Sequence, residues 1–366
     1  MKIKLKNFNL INGLQNTIGV VDRRSTQPVL ANVLFQVKDN VVLITCSDLE
    51  TEISTNIEFD EIQADGNTTV SAKKLIDICK SLPSDTLLEV FVDKGKFFIK
   101  SKSSNFSLST IDYSNFTKFD LSSPVKLLSI LGSDFSKALS STVFAAASQD
   151  VRHYLNGLLL EIKDNKIRLV ATDGHRLSFY ENDTDTDIIK TAIIPKKAVL
   201  ELTKILNEYP KKIDVYAQDK FLLFRTNKSK IITKLIDGIY PNYTRAMPAK
   251  SNIFAKIPTL EFKMSLQRAN ILASEKHRGV NVLFKKNSLE VSARNTDQEV
   301  ATDEININYN GPELTIGFNS SYLLEVLNHI KTDEFIFYAN SPTSSVLLKE
   351  SDENSLYSFV VMPMRI

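Results

Sequence analysis

LANVLFQVKDNVVLITCSD, residues 30–48, returns 125 positions later as LNGLLLEIKDNKIRLVATD, residues 155–173, without a gap and with the same Lys-Asp-Asn at 38–40 and 163–165. In both stretches apolar residues alternate, a polar turn interrupts, and the alternation resumes. Successive side chains of a strand point to opposite faces, so this pattern reads as a β-hairpin with one buried face. GVNVLFKKNSLEVSARNTD, residues 279–297, is a third copy, read with a turn two residues shorter. A unit repeated three times in order is the signature of a tandem architecture, and it sets the fold before any motif is considered.

The neighbourhood of each copy repeats as well. Upstream lie stretches with helical spacing: Leu10, Leu14, Ile18 and Val21, then Phe135, Leu139 and Val143, then Phe262, Leu266, Ala269 and Ala273. Ser133 or Asp134 is the expected N-cap of the second. Downstream, VSAKKLIDICKSL (70–82), IIPKKAVLELTKIL (193–206) and IGFNSSYLLEVLNHI (316–330) each run from a strand into a helix. Two more strands come next each time: LLEVFVDKGKFFIKSK, IDVYAQDKFLLFRTN and FIFYANSPTSSVLLKE. Each third is thus two helix-plus-strands units, giving an α+β chain of three similar domains, expected at 1–122, 123–250 and 251–366.

Composition narrows the function classes. The 366 residues are 43% hydrophobic and 24% charged, ordinary for a globular chain long enough for two or three cores. Met1-Lys2-Ile3-Lys4-Leu5-Lys6 alternates apolar with basic residues and no unbroken apolar stretch comes after it, so neither a signal peptide nor a membrane span is expected, and a cytoplasmic place is. Cys46 and Cys79, the only cysteines, read as half-buried free thiols. A net charge of +2 is too small for electrostatic grip on nucleic acid by the whole surface, so any such contact must come from local positive charge. Asp173-Gly174-His175-Arg176 is the one segment with a catalytic look, but neighbours on a strand or turn point apart. The four histidines, His153, His175, His277 and His329, form no metal-ligand spacing, and no GxxxxGK[ST] or GxGxxG loop is present. A chain without catalysis, metal or cofactor is expected.

Six segments in order, TCSDLETEI (45–53), SQDVRHYLNG (148–157), ATDGHRLSFY (171–180), KLIDGIYPNY (234–243), IGFNSSYLLEVL (316–327) and VVMPMRI (360–366), resemble the β subunit of bacterial replicative DNA polymerase III, the β sliding clamp family. The resemblance covers essentially the whole chain. It implies three clamp domains per subunit, each with two helices and antiparallel sheets. It also implies a head-to-tail homodimeric ring that encircles duplex DNA without reading its sequence. Such a ring tethers the replicative polymerase, the clamp loader and other replication and repair proteins through short peptide motifs. The alternative is a protein-binding scaffold that never encircles DNA. That alternative would keep a peptide groove but would not need paired lysines on matched helices.

Three sets of residues carry these expectations. A sliding protein needs diffuse positive charge toward phosphates. Lys73, Lys74 and Lys80 in the first repeat and Lys196, Lys197 and Lys204 in the second supply it, whereas the third offers Asn319, Ser320 and Ser321. Solvation alone also places lysines on polar helical faces; their recurrence at matched positions favours a role. By resemblance Arg24, Gln149, His153, Tyr154 and His277 also touch DNA, the last standing where many members carry an aromatic residue.

NFSLST (105–110) alternates Phe106 and Leu108 on one face, as an edge strand open to a second chain would. The resemblance adds Lys74, Ile78 and Leu82 on that side of a subunit seam, facing Ile271, Leu272, Asp297 and Glu299, with Ser103 and Asn105 where many members are richer in Arg. The apolar terminus is the third feature. A last strand on its own sheet accounts for Val360 and Val361, less well for Met362, Pro363 and Met364. The resemblance places these last three and Val360 at a groove for peptides carrying Gln, Leu and Phe. Arg152, Leu155, Thr172, His175, Arg176, Leu177, Pro241, Arg245, Ser345 and Arg365 belong to the same groove, with Asn319 and Tyr322 at its edge. Thr343 and Ala246 are more polar or smaller than the usual occupants.

Overall fold

The computed structural model describes residues 1–22, 26–248, 253–275 and 277–366. Arg24 and the expected boundary at 250/251 lie outside the described residues. The repeated stretches are hairpins, as their alternation requires: Asn32–Lys38 with Val41–Ser47, Gly157–Lys163 with Lys166–Thr172, and Gly279–Lys285 with Ser288–Arg294. Asp39 and Asn40 stand at φ +50° and +59°, and Asp164 and Asn165 both at +55°. Two left-handed residues in succession make the turn whose twist suits a hairpin, and Asp and Asn tolerate that region best.

The third hairpin turn is not shorter, contrary to expectation; Lys286 and Asn287 make it two residues long like the others. The difference falls in the next connection, residues 48–50 and 173–175 in the first two copies but 295–299 in the third. The match of Asn-Val-Leu-Phe at 32–35 to 281–284 is out of register with the strands by two residues. A slip of two leaves every side chain on its original face, so periodicity cannot detect it.

Six α-helices occur among the described residues: α1 Asn7–Thr17, α2 Ala72–Ser81, α3 Gly132–Val143, α4 Lys196–Leu206, α5 Thr259–Asn270 and α6 Ser320–Leu327. Helix α1 buries Leu10 and Leu14 but stops at Thr17, and a 3₁₀ turn over Ile18–Val20 then buries Val20 in place of Ile18 and Val21. Ser133 and Asp134 do not cap α3, which begins one residue earlier. The Gly132 and Ser133 N–H groups donate instead to Lys211 O and Tyr209 O, both at 3.0 Å. Side-chain caps do start α2, where Ser71 accepts from Lys74 N, and α6, where Asn319 accepts from Ser321 N. Ala273 lies past the end of α5. None of the helices among the described residues is long and apolar enough to cross a membrane.

The chain packs as two compact units. The first, Met1–Lys137 with Lys197–Leu235, carries thirteen antiparallel strands in one series, in which Ser229–Lys234 pairs with Thr51–Ile57 and sets Ile232 opposite Glu52. The second, Ala138–Lys196 with Ile236–Ile366, has an eight-stranded and a four-stranded sheet. In its larger sheet Arg176–Asp183 pairs with Tyr357–Val361, setting Leu177 opposite Val360. The core of the second unit is aromatic: Phe284, Phe318 and Phe337 are fully buried, with ring centroids 5.0–6.1 Å apart. In the first unit Phe35 meets Phe97 at 5.3 Å and Phe135 meets Phe224 at 6.2 Å. Cys46 and Cys79 are both fully buried, not half-buried as expected, and burial pushes each thiol up to about 12. Such thiols are inert at neutral pH.

Candidate functional site

The second unit holds a cavity of about 200 Å³ that opens to solvent. Three local features bring its walls together. The strand pair places Leu177 beside Val360; a 3₁₀ turn, His153–Asn156, presents Tyr154 and Leu155; and a second, Tyr243–Ala246, presents Tyr243 and Ala246 after Pro241 and Asn242. Leu155, Leu177 and Val360 are at most 3% exposed, so the cavity floor is apolar and already packed. Beyond the last strand the chain stays extended because Met362 N–H donates to His175 O and Met364 N–H to Gly317 O, both at 2.8 Å. Met362, 38% exposed, forms part of the rim.

The polar frame is a network around residues 172–176. Asp173 Oδ1 accepts from the backbone N–H of His175 (2.9 Å) and of Arg176 (3.0 Å), and its Oδ2 receives Arg176 Nε at 3.2 Å. Thr172 Oγ1 donates to Arg176 O at 2.6 Å and accepts from Gly174 N–H at 3.0 Å. The Arg176 guanidinium, 9% exposed, donates to Glu325 Oε2 (2.6 Å) and Phe144 O (3.2 Å) and lies 4.8 Å from the Tyr322 ring centre. Arg152 donates to Asp150 through its backbone and guanidinium at 2.8–3.0 Å, which holds the Asp150 carboxyl down to about 2. Both Asp173 oxygens therefore serve the turn and Arg176, and the His175 ring stacks toward Tyr322 at 6.0 Å. No group of three His, Cys, Asp or Glu among the described residues is placed to hold a metal.

Of the expected groove residues, Arg152, Leu155, Thr172, Arg176, Leu177, Pro241, Val360 and Met362 line the cavity. His175, Arg245, Asn319, Tyr322, Ser345, Pro363, Met364 and Arg365 lie outside its lining. Ser345 Oγ supports the wall by donating to Ala246 O at 3.0 Å, and Asn319 caps α6. Tyr154, expected to face DNA, lines the cavity, as does the small Ala246. Gly174, Asn242 and Tyr243 also line it and are absent from the expected set. The Asp-Gly pair and the Tyr-Pro-Asn-Tyr run are turn signals that mark them.

The basic residues are less free than their count suggests. Lys73 pairs with Asp77 and Lys204 with Glu201, both at 2.6 Å, and Lys197 donates to Asp48 (2.5 Å) and Val20 O (3.3 Å). Lys196 is half-buried on Ala146 O (2.7 Å) and Ser148 Oγ (3.2 Å), and burial lowers its pKa from the usual lysine range. Lys74, Lys80, Gln149, His153 and His277 are exposed, Gln149 at φ +60°.

At the expected seam, the strand Asn105–Ile111 pairs through residues 105–109 with Lys96–Lys100 on one side. Across its other edge, among the described residues, only Thr110 and Ile111 pair, with Val70 and Thr69. Phe106 and Leu108 share a half-buried face; Ile78 and Leu82 are half-buried. Ile271, just past α5, is 77% exposed, with Leu272 half-buried beside it and Asp297 and Glu299 exposed.

Residues 1–120, 129–242 and 244–365 match the N-terminal, central and C-terminal domains of the DNA polymerase III beta subunit. Two relatives described as beta sliding clamps, from Pseudomonas aeruginosa and Vibrio cholerae, are 36% and 33% identical over 368 residues, covering 100% of both chains in each comparison. A crystal structure of a sliding clamp from Pseudomonas aeruginosa bound to griselimycin has a TM-score of 0.96 at 36% identity, again covering 100% of both chains.

Proposed function

This chain belongs to the DNA polymerase III beta-subunit family, the β sliding clamps, and from that premise we propose how its own residues do a clamp's work. Two copies join head to tail into a ring that encircles duplex DNA, and the protein acts as a cytoplasmic, non-catalytic processivity factor. The observation that carries the peptide-binding part is the apolar cavity walled by Leu155, Leu177, Val360 and Met362 beside a pinned chain end. It accepts the Leu and Phe of a partner's short peptide, while Arg152 and the exposed peptide groups of the rim meet its polar part. Fully desolvated apolar anchors of this kind dominate small interfaces.

Exposed Lys74 and Lys80, with Lys73 and Lys197 once their acidic neighbours yield, face DNA phosphates, and Gln149, His153 and His277 add polar contacts. Arg24, outside the described residues, belongs to the same set by resemblance. Phe106 and Leu108 of one subunit with Ile271 and Leu272 of the other form the seam, flanked by Lys74, Asp297 and Glu299. The three domains extend over 1–122, 123–250 and 251–366. Retention on DNA tests the ring directly: the loaded protein stays on nicked circular duplex and leaves a linear one through its end. Equal dissociation from both would leave only the scaffold alternative.

A further inference from the structure

The turn beside the peptide cavity has a counterpart 125 positions earlier, and there a leucine side chain packs where the second repeat has glycine. Asp48 Oδ1 accepts from the backbone N–H of Glu50 (3.0 Å) and Thr51 (2.7 Å), just as Asp173 Oδ1 accepts from His175 and Arg176. The residue between is Leu49 at φ +70° in the first repeat and Gly174 at φ +90° in the second. Glycine adopts that region without penalty, whereas a leucine there opposes its own Cβ. The Leu49 side chain offsets this by packing on Val29, Leu30, Leu34 and Phe116.

These four positions correspond to the cavity's own frame. Val29, Leu30 and Leu34 match Tyr154, Leu155 and Leu159 at the same offset, and Phe116 of Tyr-Ser-Asn-Phe matches Tyr243 of Tyr-Pro-Asn-Tyr. The strand registers agree as well, Glu52 facing Ile232 as Leu177 faces Val360. The floor differs in chemistry, because Glu52 is 3% exposed and accepts the Phe119 N–H at 3.0 Å. A Cβ built on Gly174 would meet only the Arg152 guanidinium, at 3.5 and 3.6 Å, so the space admits a side chain, while φ +90° strains it as φ +70° strains Leu49. The third repeat has no equivalent turn, since its connection is five residues long, 295–299.

We infer that the first unit contains a latent copy of the peptide pocket, held shut by Leu49 and given a polar floor by Glu52, so that each chain captures one peptide and not two. The inference rests on the cavity of the second unit being the peptide site. Calorimetric stoichiometry on the full-length protein, with a peptide of Gln-Leu-Phe pattern as the probe, tests it. The unaltered protein binds one peptide per chain. Leu49→Gly with Glu52→Leu adds a second, weaker class of site and brings the count to two. Gly174→Leu, which transplants the plug, weakens binding at least tenfold without lowering the melting temperature by more than a few degrees. If the unaltered protein takes up no peptide, the reading of the cavity fails and the inference with it. If it binds but the folded double variant still takes one, or Gly174→Leu binds as tightly, the latent pocket is wrong and the cavity reading stands. Should the double variant not fold, Gly174→Leu alone decides.

Discussion

Arg176 shows how a side chain assigned to binding can be a strut. Its position next to His175 reads as a polar contact at a groove, yet the guanidinium is almost wholly buried and is committed to Asp173, Glu325 and the Phe144 carbonyl. Hydrogen bonds to charged groups contribute about 1.5–3 kcal/mol, and Arg176→Ala would strand Asp173 beside the turn it shapes. The variant is expected to lose about 2 kcal/mol of stability in urea unfolding, together with part of its peptide affinity. An unchanged unfolding midpoint with weakened peptide binding would return Arg176 to a direct contact role. Arg176→Lys is expected to rescue little, because the planar fork reaches three acceptors at once and an ammonium does not reproduce it. None of this was legible in the sequence, since Glu325 lies 149 positions away.

Among elements, the terminal segment tests whether the cavity is a binding site or only a well-packed end. Val360 and Val361 belong to the last strand and are fully buried, while Met362 leaves it to form the rim. Deleting residues 362–366 removes one wall but no part of that strand. Loss of a good apolar anchor costs about 2 kcal/mol or more, roughly thirtyfold in affinity. The truncated protein is therefore expected to lose peptide capture and polymerase stimulation while its far-ultraviolet circular dichroism stays unchanged. Peptide bound as tightly as before would make the terminus merely structural. The end of the last strand was readable from residue type, Val-Val giving way to Met-Pro-Met. The third hairpin's register was not, because a shift of two preserves the pattern that betrays strands.

For the whole molecule the seam decides whether a ring can exist. Ile271 is the clearest marker, an isoleucine more than three-quarters exposed in one chain, although one exposed apolar residue proves little without a partner surface. In the proposed seam that surface comes from Phe106 and Leu108, on a strand whose second edge pairs, among the described residues, only at Thr110 and Ile111. Ile271→Ala combined with Leu272→Ala should move the dimer toward monomer, as large apolar truncations at a buried contact cost roughly 2–5 kcal/mol each. Sedimentation at nanomolar concentration reads the outcome, and an undisturbed dimer would exclude this seam. Surface ion pairs through Lys74, Asp297 and Glu299 are worth about 0–1 kcal/mol each, so added salt should weaken the dimer only slightly.

The threefold repeat, the hairpins, the strand-to-helix junctions and the absence of metal or phosphate-binding motifs were determined by the sequence alone, because period, turn residues and spacing are local properties. Tertiary structure decided what local pattern cannot express. Leu49 and Gly174 occupy the same turn in aligned repeats, but only the packing around them shows that one closes a space the other leaves open. Lysines that look free on helical faces are held by Asp77, Asp48 or the Ala146 carbonyl, and whether a cation meets a partner depends on residues far along the chain. Burial of both thiols and the strut role of Arg176 have the same origin. The sequence specifies which side chains must leave water; which of them meet one another is settled only when distant segments fold together.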